Sequence, residues 1–289
     1  MGKGTYHDIP PHLHAAMRVL TLRLFETPIN KLQPFDHLAL ESVLYQIFLT
    51  NTVLWSDQSP LTEFDVHFWL KAEHFLQQTI MFPQGPHSLN SPVLGVPVAL
   101  FRLAIQAKQA YQAHARYSNH NLEQLRTEIE DWEAMVLGSQ PISVSEHDDA
   151  FRRQQSYYDG ATHLYVLIIS LLLEQANKHY GNTARITSQD FRLPETVPQN
   201  AWQLQKALHI LRTFAHDNEW SSCYIGNWPV YTLGFFTGQP EDVRLVINEM
   251  DRRWTSTKFM QIPRFRDDLA STWIARGLSL REHNVSLVY

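Results

Sequence analysis

Cysteine is nearly absent: the 289 residues contain one, Cys223. A single thiol excludes an internal disulfide, a Cys-rich zinc module and an iron–sulfur cluster held by this chain alone. Long apolar runs are absent as well. The longest is Leu164 to Leu173, with Ser170 inside it, and it falls well short of the about 20 residues that a bilayer crossing takes. Charge is sparse, at 18% of residues, and its formal balance is −5. That balance argues against a face built to hold a nucleic-acid backbone. No cluster of Lys and Arg of the nuclear-import kind occurs. The start of the chain has no apolar signal segment, and Tyr6 stands where a myristoylation motif takes Ser or Thr. The expectation is an intracellular protein, placed in the cytoplasm ahead of the nucleus, without membrane insertion and without direct nucleic-acid binding.

Several chemistries lack their motifs. There is no GxGxxG or GxxxxGK loop for phosphates, no GxSxG elbow for a nucleophilic serine and no HExxH for zinc. Glu63 with His67, and Asp159 with His163, are spaced i,i+4 and so share a helix face. Two ligands do not make a metal centre, and a hydrogen-bonded core histidine is the simpler reading of each. The acid pairs Asp148-Asp149 and Asp267-Asp268 lack the further acids that would hold magnesium and a diphosphate. They read as surface acids near helix starts. Cys223 has His209 and His216 nearby in sequence, but an inert buried thiol accounts for it more simply than a Cys–His nucleophile. No metal and no cofactor is expected.

Helical periodicity is what the chain does have, while period-2 strand patterns are scarce. Apolar spacing predicts helices over Arg18 to Phe25, Phe35 to Trp55, and a third ending near Ile80 behind a cap at Ser59 to Glu63. Further helices are predicted over Ser91 to Tyr117, Leu122 to Leu137, and about Glu146 to Tyr180 with Gly160 as a kink. Trp202 to Ala215, Trp220 to Phe236, Pro240 to Trp254 and Arg264 to Arg276 complete the set. Leu164 to Leu173 is apolar on every face and predicts a central, surrounded helix. The expected fold is all-α: one domain over 1–289, with about ten helices paired into hairpins or a solenoid-like bundle around an internal apolar cavity. No heptad run sets an oligomeric state.

Three segments together resemble the regulatory middle domain of fungal zinc-cluster transcription factors. They are Ser91-Pro92-Val93-Leu94-Gly95-Val96-Pro97-Val98-Ala99-Leu100-Phe101-Arg102-Leu103, then Trp228-Pro229-Val230-Tyr231-Thr232-Leu233-Gly234, then Glu241 to Trp254 followed by Phe265 to Trp273. The likeness is spread over 35–276. It implies an all-helical regulatory domain. Members of that family also carry a six-cysteine zinc cluster, a basic linker and a dimerising coiled coil, which this sequence lacks. The resemblance therefore implies the regulatory domain without its DNA reader.

Two readings of function follow. In the first, such a domain serves fungal secondary metabolism as a cofactor-free cyclase or isomerase. It would hold an apolar small molecule in a helical cavity and close a ring by a pericyclic step of the Diels–Alder type. Such a step needs a shaped cavity and a hydrogen bond to an activating carbonyl. His163, Tyr165 and His67 are the candidate donors, and Trp69, Trp228, Tyr231, Tyr224 and Trp55 the candidate walls. In the second, the domain is a non-catalytic regulator that binds a metabolite or a partner. Aromatic side chains in apolar stretches are also what plain core packing requires.

Overall fold

A computed structural model of the chain describes residues 9–26, 34–52, 54–57, 64–80, 82, 90–112, 119–138, 150–181 and 192–278. Among them are eleven α-helices and no strand, as an all-α sequence demands. The chain divides into two compact units, Met1–Val53 with Ser59–Ile105, and Leu54–Gln58 with Gln106–Tyr289.

In the first unit, α1 (Ile9–Leu20) runs into a π-helical turn, Thr21–Glu26. The helix begins at Ile9, well before the expected Arg18, because Pro10 and Pro11 fall in its first turn, where a missing N–H forfeits no helical bond. α2 (Pro34–Asn51) follows. α3 (Val66–Gln78) is capped by Asp65, whose carboxylate accepts the Phe68 amide at 2.9 Å. The cap expected at Ser59 to Glu63 lies outside the described residues. α4 (Val98–Gln112) begins seven residues later than expected. Gly95 takes a left-handed φ of 66°, and its amide closes a turn onto the Ser91 carbonyl at 2.7 Å, so helix cannot form until Pro97 is passed. The buried Glu41 carboxylate accepts the Val93 and Leu94 amides at 2.9 and 3.4 Å. The segment Ser91 to Leu103 is therefore a carboxylate-anchored turn feeding a helix. Behind it Phe101 packs edge-on to Phe48 (4.8 Å) and Tyr45 (6.4 Å), and Arg102 pairs with Glu73 at 3.1 Å.

The second unit takes the end of α4 and everything after it. α5 (Asn119–Leu137) packs on α6 (Ala150–Gly181), and α6 packs on α7 (Trp202–Thr213). Every residue from Leu164 to Leu173 is buried, as the all-round apolar pattern predicts. Each large aliphatic side chain in that run contributes about 1.5–3 kcal/mol of burial. Gly160 sits inside the continuous α6. Its missing side chain admits neighbours, since a Cβ there would come within 2.9 Å of Phe214 and 3.2 Å of Trp220.

The expected helix Trp220 to Phe236 is three pieces: α8 (Asn218–Ser222), a 3-10 turn (Tyr224–Gly226) and α9 (Asn227–Phe236). Pro229 cannot donate to the carbonyl four residues back, that of Ile225. That oxygen is taken instead by the Tyr165 hydroxyl at 3.2 Å. α9 is buried on all sides. α10 (Pro240–Thr257) opens with Pro240, Glu241 and Asp242 in its first turn, matching the positive end of the helix dipole. α11 (Gln261–Ala275) starts ahead of Pro263, which sits in its first turn. α9 packs against α6, α10 and α11. At the α9–α11 contact a Cβ on Gly234 would lie 2.6 Å from Leu269, so the two helices meet more closely than any other residue would allow.

Candidate functional site

A buried polar grouping in the second unit forms around Tyr231 of α9. Its hydroxyl donates to the Asp268 carboxylate of α11 and accepts the Trp55 backbone amide at 2.7 Å. The Trp55 indole N–H donates to Thr232 Oγ1 at 3.2 Å, and the Ser56 amide reaches Asp268 Oδ2 at 3.4 Å. The Tyr231 ring stacks on Phe265 with centroids 4.0 Å apart. Lys108, on the α4 turns belonging to this unit, places its Nζ 5.2 Å over the Trp55 ring and 3.5 Å from the Leu54 carbonyl. Tyr111, one turn on, meets Trp55 edge-on at 5.7 Å.

Burial sets the electrostatics of this group. The Lys108 ammonium is pushed down to about 7 by loss of solvent, against the upward pull of Asp57 and Asp268. The Tyr231 phenol is driven well above its ordinary range, first by burial and then by the adjacent Asp268 charge and hydrogen bond. At neutral pH the group thus pairs a phenol that keeps its proton with an amine that exchanges one. Such a pair has general acid–base capability.

The sequence-derived candidates fall in several environments. Tyr231 and Trp55 are brought together in this cluster. Tyr165 and Trp228 form a second pair, stacked with centroids 5.7 Å apart. His163 does not join Tyr165: two residues apart on a helix, their side chains leave in nearly opposite directions. Tyr165 is fully buried, whereas the partly exposed His163 ring bonds the Asp159 carbonyl through Nδ1 at 2.7 Å. The Asp159 carboxylate accepts instead from Gln155 at 2.8 Å, so the Asp159–His163 pair presents no shared ligand face. Tyr224 is half-exposed at the start of the 3-10 turn. In the first unit His67 is exposed, while Trp69 is fully buried against Phe64, centroids 5.6 Å apart. Glu63 lies outside the described residues, as do Asp148 and Asp149. No group of three metal-ligating side chains occurs among the described residues.

One acid is misplaced by the sequence reading. Asp267 is exposed, but Asp268 is buried at 6% exposure in the middle of α11. Neighbouring positions on a helix point about 100° apart, so an acidic pair can straddle surface and core. Lys108 was not singled out either, although its signal was available. Leu100, Phe101, Ala104, Ala107 and Tyr111 share its apolar stretch, which places its stem among buried positions.

A second feature is an open depression of about 420 Å³ lined by Glu195, Thr196, Gly238, Arg276 and Leu278. The Arg276 guanidinium is fixed in its wall, donating to the Phe235 carbonyl at 2.6 Å and the Pro194 carbonyl at 2.5 Å. Gln175 holds the next residue of the same segment by a two-way amide pairing with the Glu195 backbone, at 2.7 and 3.0 Å. Among the described residues no helix is long and apolar enough to cross a membrane. No family model, no curated protein and no solved structure matches the chain.

Proposed function

We propose that the chain is a non-catalytic, small-molecule-binding regulator domain. It takes a small amphipathic metabolite with an acidic group in the depression beside Arg276. The observation that carries this reading is how the polar tips of one candidate donor, Tyr165, and two candidate wall residues, Tyr231 and Trp55, are used. The Tyr165 hydroxyl is engaged with Ile225, that of Tyr231 with Asp268, and the Trp55 indole with Thr232. Groups committed to the buried core act as structure, which leaves the open depression, where Arg276 is held by two backbone carbonyls and Glu195 also lines the wall, as the place for a ligand. The resemblance of Ser91 to Leu103 and Trp228 to Gly234 to fungal regulatory domains supports the regulatory half of the reading.

A cofactor-free isomerase or cyclase is the second reading, and one observation favours it. Lys108, Tyr231 and Asp268 form a buried set of protonatable groups with an amine that exchanges its proton near neutral pH. Proton shuffling in an apolar setting needs such a set.

One experiment separates the two. Purified protein is equilibrated with a metabolite extract, and both the bound and free fractions are resolved by mass against a boiled control. Retention of an acidic small molecule by the wild type, lost when Thr196→Trp fills the depression, supports the regulator. Appearance of an isomer of unchanged mass, abolished by Lys108→Met and indifferent to Thr196→Trp, supports the enzyme. Neither retention nor conversion defeats both.

A further inference from the structure

A different buried centre carries an inference of its own. Arg253 of α10 is completely buried, and its Nε donates to Glu249 Oε1 at 2.7 Å. One terminal nitrogen donates to the Cys223 carbonyl at 2.8 Å and to Asn227 Oδ1 at 3.0 Å. The guanidinium lies 4.8 Å over the Trp220 ring. Its other terminal nitrogen, Nη2, has no acceptor. The same is true of Asn227 Nδ2 and Trp220 Nε1, on side chains 2% and 0% exposed that both touch this guanidinium. Three buried donors without acceptors around one cation is an unusual debt for a folded core, where buried polar groups are normally paired.

Charge points the same way. Both Glu249 oxygens are occupied, one by Arg253 and the other by Arg252, so two guanidinium groups share one carboxylate. The acids of the adjoining α8 turn are used elsewhere: Asp217 caps that helix, and both it and Glu219 accept from the Tyr157 hydroxyl. Asp251 faces Arg266. The Cys223 thiol does not supply the missing charge, because burial pushes it up, outweighing the downward pull of Arg253. Gly226 is what lets the guanidinium in, since a Cβ there would lie 3.0 Å from both of its terminal nitrogens.

We propose that the Arg253–Asn227–Trp220 centre is a binding site for a small monovalent anion of chloride size. The unsatisfied groups at this centre are all N–H donors, and the one carboxylate that touches Arg253 is already shared with Arg252. A spherical anion accepts from several donors at once without demanding the planar geometry of a carboxylate. The site lies apart from the Arg276 depression, and it stands whether or not that depression binds a metabolite.

The test is thermal unfolding of the whole chain with sodium chloride replaced stepwise by sodium gluconate at constant ionic strength. The expected result is a midpoint that rises with chloride, by on the order of 5 °C at a hundredfold excess over the dissociation constant. In Asn227→Asp a built-in carboxylate oxygen takes the place of the Nδ2 donor, so the midpoint becomes insensitive to chloride. Crystals soaked in sodium bromide are expected to give an anomalous peak beside Arg253 Nη2. A wild-type midpoint indifferent to chloride, with no bromide peak, means that the donors hold only water and overturns the proposal. A chloride response that survives in Asn227→Asp overturns it too, by placing the anion elsewhere.

Discussion

Replacing Lys108 with Met is expected to stabilise the protein at neutral pH, which is the reverse of what removing a cation beside a carboxylate normally does. The side chain is 3% exposed, and its ammonium titrates at about 7 in the folded chain against an ordinary value of 10.5. Between those limits the unfolded chain holds a proton that the folded chain has released, so stability rises with pH across this window. Below 7 both states are protonated and the full penalty of burying the charge applies. At 1.36 kcal/mol per pH unit, the interval from 7 to 10.5 corresponds to about 5 kcal/mol. Met has a similar length and no charge. It gives up the Leu54 carbonyl contact, worth about 1 kcal/mol. Asp268 keeps the Tyr231 hydroxyl and the Ser56 amide. The expected gain is therefore about 4 kcal/mol at pH 7, shrinking steadily with pH until only the loss of about 1 kcal/mol from the Leu54 contact is left near pH 10.5. Urea denaturation of both proteins at half-unit steps from pH 6.5 to 10 measures it. Should Lys108→Met instead lose about 3–5 kcal/mol, the cost of breaking a buried ion pair, Lys108 is a charged partner of Asp268 and the reasoning fails. A difference between the two proteins that stays constant with pH refutes it equally.

Other outcomes follow from the same contacts. Tyr231→Phe removes the donor to Asp268 and the acceptor for the Trp55 amide, and is expected to cost about 3 kcal/mol in urea denaturation; a loss below 1 kcal/mol shows that Asp268 does not depend on that hydroxyl. Gly234→Ala is expected to cost about 1–3 kcal/mol by pressing on Leu269 and Trp273. Its cost should shrink in a Leu269→Ala background, giving a coupling of about 1 kcal/mol or more in a double-mutant cycle. His163→Ala, which deletes only a partly exposed bond to its own helix, is expected to stay within about 0.5 kcal/mol of wild type by thermal melting. Cys223 is expected to react with iodoacetamide well below the rate of a peptide thiol at pH 8, and to recover that rate in urea, because burial holds the thiol protonated; equal rates in the native and unfolded chain contradict that placement.

The long elements were legible because their apolar period runs through many turns. Leu164 to Leu173, apolar on all sides, lies where that pattern requires. Boundaries set by a single residue were not. Nothing in the period shows that Gly95 turns left-handed, or that Pro229 leaves the Ile225 carbonyl for a tyrosine on another helix. The candidate site was half legible. Trp55 and Tyr231 were each singled out as buried aromatics, but their hydrogen bond joins positions 176 residues apart, and no local pattern encodes it. His163 and Tyr165 are both candidate donors on the central helix, but the helix turns their side chains apart, one part-exposed and the other buried. Lys108 and Asp268 escape a reading of charge as surface: the helix face carrying Lys108 is largely apolar, and Asp268 lies among the buried Phe265, Leu269 and Thr272.

That separation in the chain bears on how the protein is made. Leu54–Gln58 belongs to the unit formed by residues 106 onward, and Trp55 bonds to Tyr231 and Thr232 while Ser56 bonds to Asp268. These early residues leave the ribosome long before Asp268 is synthesised. Their indole and amides have no native partner until almost the whole chain has emerged. Closing so long a loop is slow, and its entropy is lost before any contact compensates it. The second unit therefore completes its core only after translation has passed α11. A nascent chain stalled short of α9 leaves Trp55 without Tyr231 and Thr232, an apolar surface that chaperones would have to shield.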